Sequence, residues 1–211
     1  MTADDLLATA DEKRRGILRV ARKHFMTEGY AATGMEAVAR DAGVSTATLY
    51  AHFPGKADLF NNVIEDASNE FARRMAQVGA LRGDARARMR GFAIAYASFM
   101  ADPFVRSVFR LVAAERRRFA STADRFFKRG RDQFGAVLIA AIKELVAGGE
   151  LRVERPSWAA GQLMGMIEHP VFLVPLVTGD EVVAKRSVEQ IAEEAVETFL
   201  ARYGATQNAQ G

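Results

Sequence analysis

Between Met35 and Phe53 the sequence interleaves residues suited to burial with small and hydroxylated residues suited to outward contacts. In the last part of this stretch Leu49 and Phe53 take the inward positions of a short helix. Thr46, Ala47, Thr48 and Ala51, flanked by Tyr50 and His52, take the outward ones. Threonine hydroxyls can bond base edges or phosphates, and Thr or Ala methyls can touch a thymine methyl. Tyr50 and His52 can donate to phosphate oxygens, as can Thr33 and Lys56 at the starts of neighbouring helices. This is chemistry for reading duplex DNA, and it works only if the reading helix is held at a set angle to a preceding one. Ala39 and Ala42 supply small residues at that crossing, and Gly43 supplies a turn residue tolerant of positive φ. Val44 plugs the turn, and Ser45 caps the second helix.

Other chemistries find little support. The three histidines, His24, His52 and His169, are scattered and have no cysteine to join them in a metal-ligand set. Gly55-Lys56 lacks the upstream glycine and following hydroxyl of a phosphate loop. The chain is read as a non-enzyme, with no catalytic residues, no metal and no cofactor. With Cys 0, a reducing cytoplasm is the expected compartment. No apolar run is read as approaching the ~20 residues of a membrane span, and the acidic start Met1–Asp11 does not resemble a secretion signal. No membrane partner is expected.

Charge does not carry the DNA reading. The formal net charge is +3, yet residues 1–60 hold 8 Lys/Arg against 8 Asp/Glu, while residues 71–155 hold 18 against 8. The Arg116-Arg117-Arg118 run and Arg125, Lys128, Arg129 and Arg131 are read as solvated faces, with a supplementary role toward DNA or an acidic ligand as the alternative.

The elements that must position the hairpin are all helical. Ile17, Leu18, Ala21 and Phe25 mark one face of a first helix closed by Gly29. Thr33 and Glu36 have the spacing of a capping box for the second helix. Pro54-Gly55 ends the third, and a fourth starts at Lys56 with Leu59, Val63, Ala67 and Phe71 on one side. Further helices are expected over Asp84–Met100, from Pro103, over Ser121–Ala147, from Pro156, and from Gly179-Asp180 to Gly204. Pro170 is expected to kink or interrupt the Pro156 helix.

Thr33–Lys56 resembles the DNA-binding region of the TetR family of transcriptional regulators. The matching residues are Val38-Ala39, Ala42-Gly43-Val44-Ser45, Leu49-Tyr50, His52-Phe53 and Lys56, with Leu59 following. Gly34, where Ser or Thr is common, departs from the pattern. Residues from Pro103 to Gly179 are similar to regulators near AcrR and AefR, through Arg110-Leu111-Val112, Glu115, Phe119 and Gly149-Glu150-Leu151. The resemblance implies an all-α fold of about nine helices. An N-terminal helix-turn-helix domain (1–55) would precede a larger helical ligand-binding and dimerisation domain (56–205), with 206–211 a disordered tail. It also implies a small apolar or amphipathic effector.

The expected partners are double-stranded operator DNA, that effector, and a second copy of the chain. One reading helix covers too few base pairs for specificity. Leu163 and Ile167, with the stripe Val188, Ile191, Ala195 and Phe199, are assigned to a four-helix dimer interface, intramolecular core being the rival use. Phe99, Phe109, Phe127, Phe134, Trp158, Met166 and His169 are candidate pocket liners, although such aromatic stripes more often form plain core. The competing reading is a helical binding or structural protein whose hairpin only resembles a DNA reader.

Overall fold

A computed structural model of the chain describes residues 3–76, 82–182 and 184–205; the expected tail, 206–211, lies outside them. The helices are α1 (Ala3–Ala32), α2 (Met35–Asp41), α3 (Thr46–His52), α4 (Lys56–Ala76), α5 (Ala85–Met100), α6 (Pro103–Ala114), α7 (Ala120–Gly130), α8 (Ala136–Ala147), α9 (Pro156–Glu168), α10 (Val174–Thr178) and α11 (Val188–Tyr203). A π-helical turn, Arg131–Gly135, joins α7 to α8, and another, His169–Leu173, joins α9 to α10, so the described residues form nine helical rods, the first of them kinked at Gly29. No strand forms among the described residues; one isolated antiparallel bridge pairs Leu151 with Gly204.

The second π turn answers the question posed by Pro170. A proline has no N–H to donate and clashes with the carbonyl one turn back, and widening the turn relieves both problems. The helix neither stops nor breaks there but runs on to Thr178, ending at Gly179 with φ 102°. The rod Pro156–Thr178 is therefore 23 residues long, and by length and composition alone it could cross a membrane. The expectation that no apolar segment approaches that length is corrected, because Pro170 and Pro175 are carried inside one rod.

Packing divides the chain into two compact units. One comprises Met1–Glu70 and Ser107–Phe127; the other comprises Phe71–Arg106 and Lys128–Gly211. In the first, Ile17, Leu18, Ala21 and Phe25 are buried as their spacing predicts, together with Leu59, Phe60 and Val63 of α4. Phe60 packs edge-on to Phe25 at 5.4 Å and stacks on Phe119 at 4.4 Å, while Tyr30 meets Phe119 at 5.0 Å. Aromatic contacts of this kind add about 0.5–1.5 kcal/mol each beyond the area they bury. Thr122 Oγ1 donates to Asn61 Oδ1 at 2.6 Å. The segment after α6 is thus packed into the same unit as the hairpin.

In the second unit α5 packs against α9 and α11. Asp84 caps α5 by accepting from the Ala87 N–H at 2.8 Å. Phe99 lies 4.9 Å from Phe71 and 4.8 Å from Phe134, and Tyr96 lies 5.3 Å from Phe134. The Tyr96 hydroxyl donates to Glu168, and burial foremost, with that carboxylate beside it, holds the phenol above its ordinary pKa. Arg106 is buried, pairs with Asp180 at 2.6 Å and donates to the Ala101 carbonyl at 2.6 Å. A buried guanidinium without such partners would carry a penalty of several kcal/mol.

Candidate nucleic-acid interface

The hairpin closes as its spacing demands. Gly43 has φ +68°; the Val44 N–H donates to the Ala39 carbonyl at 3.0 Å and the Gly43 N–H to the Arg40 carbonyl at 3.1 Å. These two bonds are a Schellman motif, which satisfies the last carbonyls of α2 while redirecting the chain. Nothing lies within 4 Å of where a Cβ on Gly43 would project, so its φ, not crowding, demands glycine. Val44 is half-buried in the turn. Ser45 Oγ accepts from the Thr48 N–H at 3.1 Å, capping α3.

With its ends held, α3 has two distinct faces. Leu49 is fully buried and Phe53 is 1% exposed, whereas Thr46, Ala47, Tyr50 and Ala51 face solvent. Thr48 and His52 are half-buried. The Thr48 hydroxyl lies 2.8 Å from Ser45 Oγ, so it is already engaged inside the cap. Thr46, Ala47 and Tyr50 are the freest of the expected reading residues.

Two expectations at the flanks change. Thr33 does not cap α2: it is buried, its hydroxyl donates to the Gly29 carbonyl at 2.8 Å, and the N-cap is Gly34 with no side-chain bond. Gly29, at φ 79°, breaks α1, and its carbonyl accepts both the Thr33 N–H at 3.3 Å and the Thr33 hydroxyl. This local pairing keeps the Thr33 hydroxyl away from the α2 N-cap. Lys56 is also engaged. Its ammonium donates to the carbonyls of Ala31 at 2.9 Å and Thr33 at 2.7 Å, and stands 4.9 Å from the Tyr30 ring centroid. An ammonium has three N–H groups; after these two bonds, one remains for a phosphate.

His24 is placed as a structural residue. Nδ1 lies 3.0 Å from Glu28 and Nε2 lies 2.8 Å from Asp41, tying α1 to the end of α2. The His24 bond, helped by Arg40, holds the Asp41 carboxyl below its ordinary pKa.

The seven expected pocket residues have different surroundings. Phe99 and Phe134 are buried against each other in the second unit, and Phe109 is packed 4.9 Å from Phe126 in the first. Phe127 and Trp158 are exposed, at 64% and 65%. Met166 and His169 line an open cleft of about 650 Å³ together with Pro170, Ile191, Glu194 and Ala195. Leu163, Ile167, Ile191, Ala195 and Phe199 are buried within their own unit and Val188 is half-buried, so the stripe serves the intramolecular core. Exposed positions on the same helices are Trp158, Gly161, Gly165, Leu173 and Val177.

Spacing gave no warning of Arg118 and Phe119 joining the hairpin's unit, or of the Arg106–Asp180 pair, because both depend on segments far apart in sequence.

An all-α chain with this turn, cap and two-faced second helix is a helix-turn-helix protein of the DNA-binding kind. The pattern of bacterial regulatory proteins of the tetR family matches residues 17–63, and that of the AefR-like transcriptional repressor C-terminal domain matches residues 87–205. The chain belongs to the TetR family of transcriptional regulators, with an AefR-like C-terminal domain. Among curated relatives, the HTH-type transcriptional activator FasR of Mycolicibacterium smegmatis is 33% identical over 90 residues, 43% of this chain and 41% of that one. The HTH-type transcriptional regulator AcrR of Shigella flexneri is 39% identical over 56 residues, 26% of each chain. The matches thus span at most about two fifths of these relatives. Among solved structures, a TetR-family regulator from Mesorhizobium loti superposes with a TM-score of 0.79 at 26% identity, over 92% of this chain and 98% of that one. The flavonoid-responsive regulator FrrA superposes at 0.74 with 30% identity, over 93% and 99%.

Proposed function

We propose that the chain is a sequence-specific repressor that binds a quasi-palindromic operator as a twofold dimer and leaves it when a small apolar or amphipathic effector binds. The observation that carries this reading is the two-faced α3, anchored by Leu49 and Phe53 while Thr46, Ala47 and Tyr50 stay exposed on a capped, hydrogen-bonded frame. Such a helix can enter a major groove with its N-terminal residues against base edges. Three small or aromatic contacts per head are few, so two heads about 34–36 Å apart are needed for specificity.

The exposed Trp158, Leu173 and Val177 on the Pro156–Thr178 rod supply the dimer face, since an apolar patch of this kind calls for a cover. For the effector, the flavonoid response named for FrrA suggests a planar aromatic class. An effector that prefers the non-binding arrangement by about 1–3 kcal/mol of coupling is sufficient for release. In functional terms 1–55 reads DNA and 56–205 senses and dimerises.

The test is selection of bound duplexes from a random pool, followed by footprinting of the winner. Replacing Thr46 or Ala47 should change the selected sequence, and Tyr50→Phe should weaken all sequences alike. An unchanged selected sequence across the Thr46 and Ala47 variants refutes base reading by α3.

A further inference from the structure

The arginines at 116–118 read from the sequence as a solvated face, with a role toward DNA or an acidic ligand as the alternative. They form the turn between α6 and α7, a hydrogen-bonded one: the Arg118 and Phe119 N–H groups donate to the Glu115 carbonyl at 3.0 and 2.9 Å. All three arginines are exposed. Arg116 and Arg117 make no ion pair among the described residues. Distance in sequence would assign this turn to the regulatory region, but it packs in the same compact unit as the hairpin.

The attachment is specific. The Arg118 guanidinium stands 4.8 Å from the Tyr30 ring centroid, and Lys56 Nζ stands 4.9 Å from the same ring. Lys56 in turn holds the Thr33 carbonyl just ahead of α2. The arginine turn therefore abuts the frame that holds both ends of the hairpin. The charge count makes the same point. Residues 1–70 carry 8 Lys/Arg against 11 Asp/Glu, and residues 107–127 carry 5 against 2. The returning segment alone brings this unit from −3 to zero. A unit that approaches a polyanion needs such local cations, because phosphate contacts supply much of the affinity and all of its salt dependence.

We infer that the Arg116–Arg118 turn is a second DNA contact, gripping phosphodiester groups beside the segment read by α3. This inference rests on the DNA-binding reading above, and it makes backbone contact a property of two chain segments far apart in sequence. Arg118, stacked on Tyr30, positions the turn; Arg116 and Arg117 extend beyond it to reach phosphates.

The experiment compares the unaltered protein, an Arg116→Gln/Arg117→Gln variant and an Arg152→Gln/Arg155→Gln variant. The last loses equal charge from exposed positions of the second unit. Affinity for a random-sequence duplex and for a pool-selected duplex is measured between 50 and 200 mM salt. Each lost phosphate contact flattens the slope of log affinity against log salt by about 0.9. Loss of two contacts per chain should leave the first variant's affinity falling roughly 12-fold less per bound chain across this fourfold salt range. It should do so on both duplexes, with the selected sequence and the thermal midpoint unchanged, and the second variant should match the unaltered protein. An unchanged slope in the Arg116/Arg117 variant overturns this inference while leaving base reading by α3 intact, as does an equal flattening in the control. Failure of the unaltered protein to bind either duplex overturns both readings.

Discussion

The α2–α3 hairpin and the Pro156–Thr178 rod both present helical faces, but only one of them sorts its residues cleanly. In the hairpin, burial and exposure separate by chemistry: Leu49 and Phe53 lie inside, while Thr46, Ala47 and Ala51 lie outside. In the rod large apolar residues lie on both sides, beside a few polar ones such as Gln162 and His169. Leu163, Ile167 and Val171 are buried, while Trp158, Leu173 and Val177 are exposed. A helix with a polar side announces which side is in; a helix apolar all round leaves the choice to its neighbours. The hairpin is also constrained at its turn, by Gly43 and Ser45, whereas the rod carries Pro170 on a π turn and Pro175 in the helix that follows. Where covalent and capping constraints are dense, residue type and side of the helix coincide. Where they are sparse, tertiary packing decides.

Substitutions on each helix test which of its faces is core. The largest effect is expected at Phe199, which is 1% exposed on α11. Phe199→Ala should cost about 3–5 kcal/mol of stability in denaturant unfolding. If it instead dissociates a dimer without loss of stability, Phe199 belongs to an interface after all. Next, Trp158→Glu/Val177→Glu, changing exposed positions on the rod, should leave the thermal midpoint within a few degrees while converting dimer to monomer in light scattering. A dimer that persists places the interface elsewhere.

At the hairpin, Gly43→Ala should cost about 1–2 kcal/mol, the price of a left-handed conformation for a residue with a Cβ. It should also weaken DNA binding by misdirecting α3. Full stability and affinity in that variant would show the Schellman turn to be dispensable. The smallest effect is expected from His24→Ala. Losing the His24 bond should let the Asp41 pKa climb back toward its ordinary value, as followed by carboxyl chemical shift. Because the folded-state pKa is depressed, the Asp41 contribution is present above its unfolded pKa and lost as pH falls through the folded one. The acid limb of the stability curve should therefore be shallower in the variant, with neutral-pH folding little changed. An Asp41 titration identical in both proteins would leave Arg40 as the controlling partner.

The hairpin was legible in the sequence because it is local. Gly43, Ser45, Leu49 and Phe53 act within a few residues of one another, so spacing alone defines their geometry. Even there, spacing did not show the Thr33 hydroxyl bonded to the Gly29 carbonyl, nor two of the Lys56 N–H groups taken by the carbonyls of Ala31 and Thr33. The α11 stripe was visible as a stripe, but whether it faced its own chain or another was not, because an apolar side chain loses the same water either way.

Taken alone, the amino-acid sequence determined an all-helical chain with a capped helix-turn-helix at 35–53, since caps, turn glycines and hydrophobic periodicity are short-range properties. Tertiary structure alone decided which apolar face is core and where the charge lies. Residues 71–155 carry the basic excess, yet part of that excess, at 116–118, folds into the unit of the reading helix. Chain position says nothing about this, because charges act through space, and only packing brings residue 118 to residue 30.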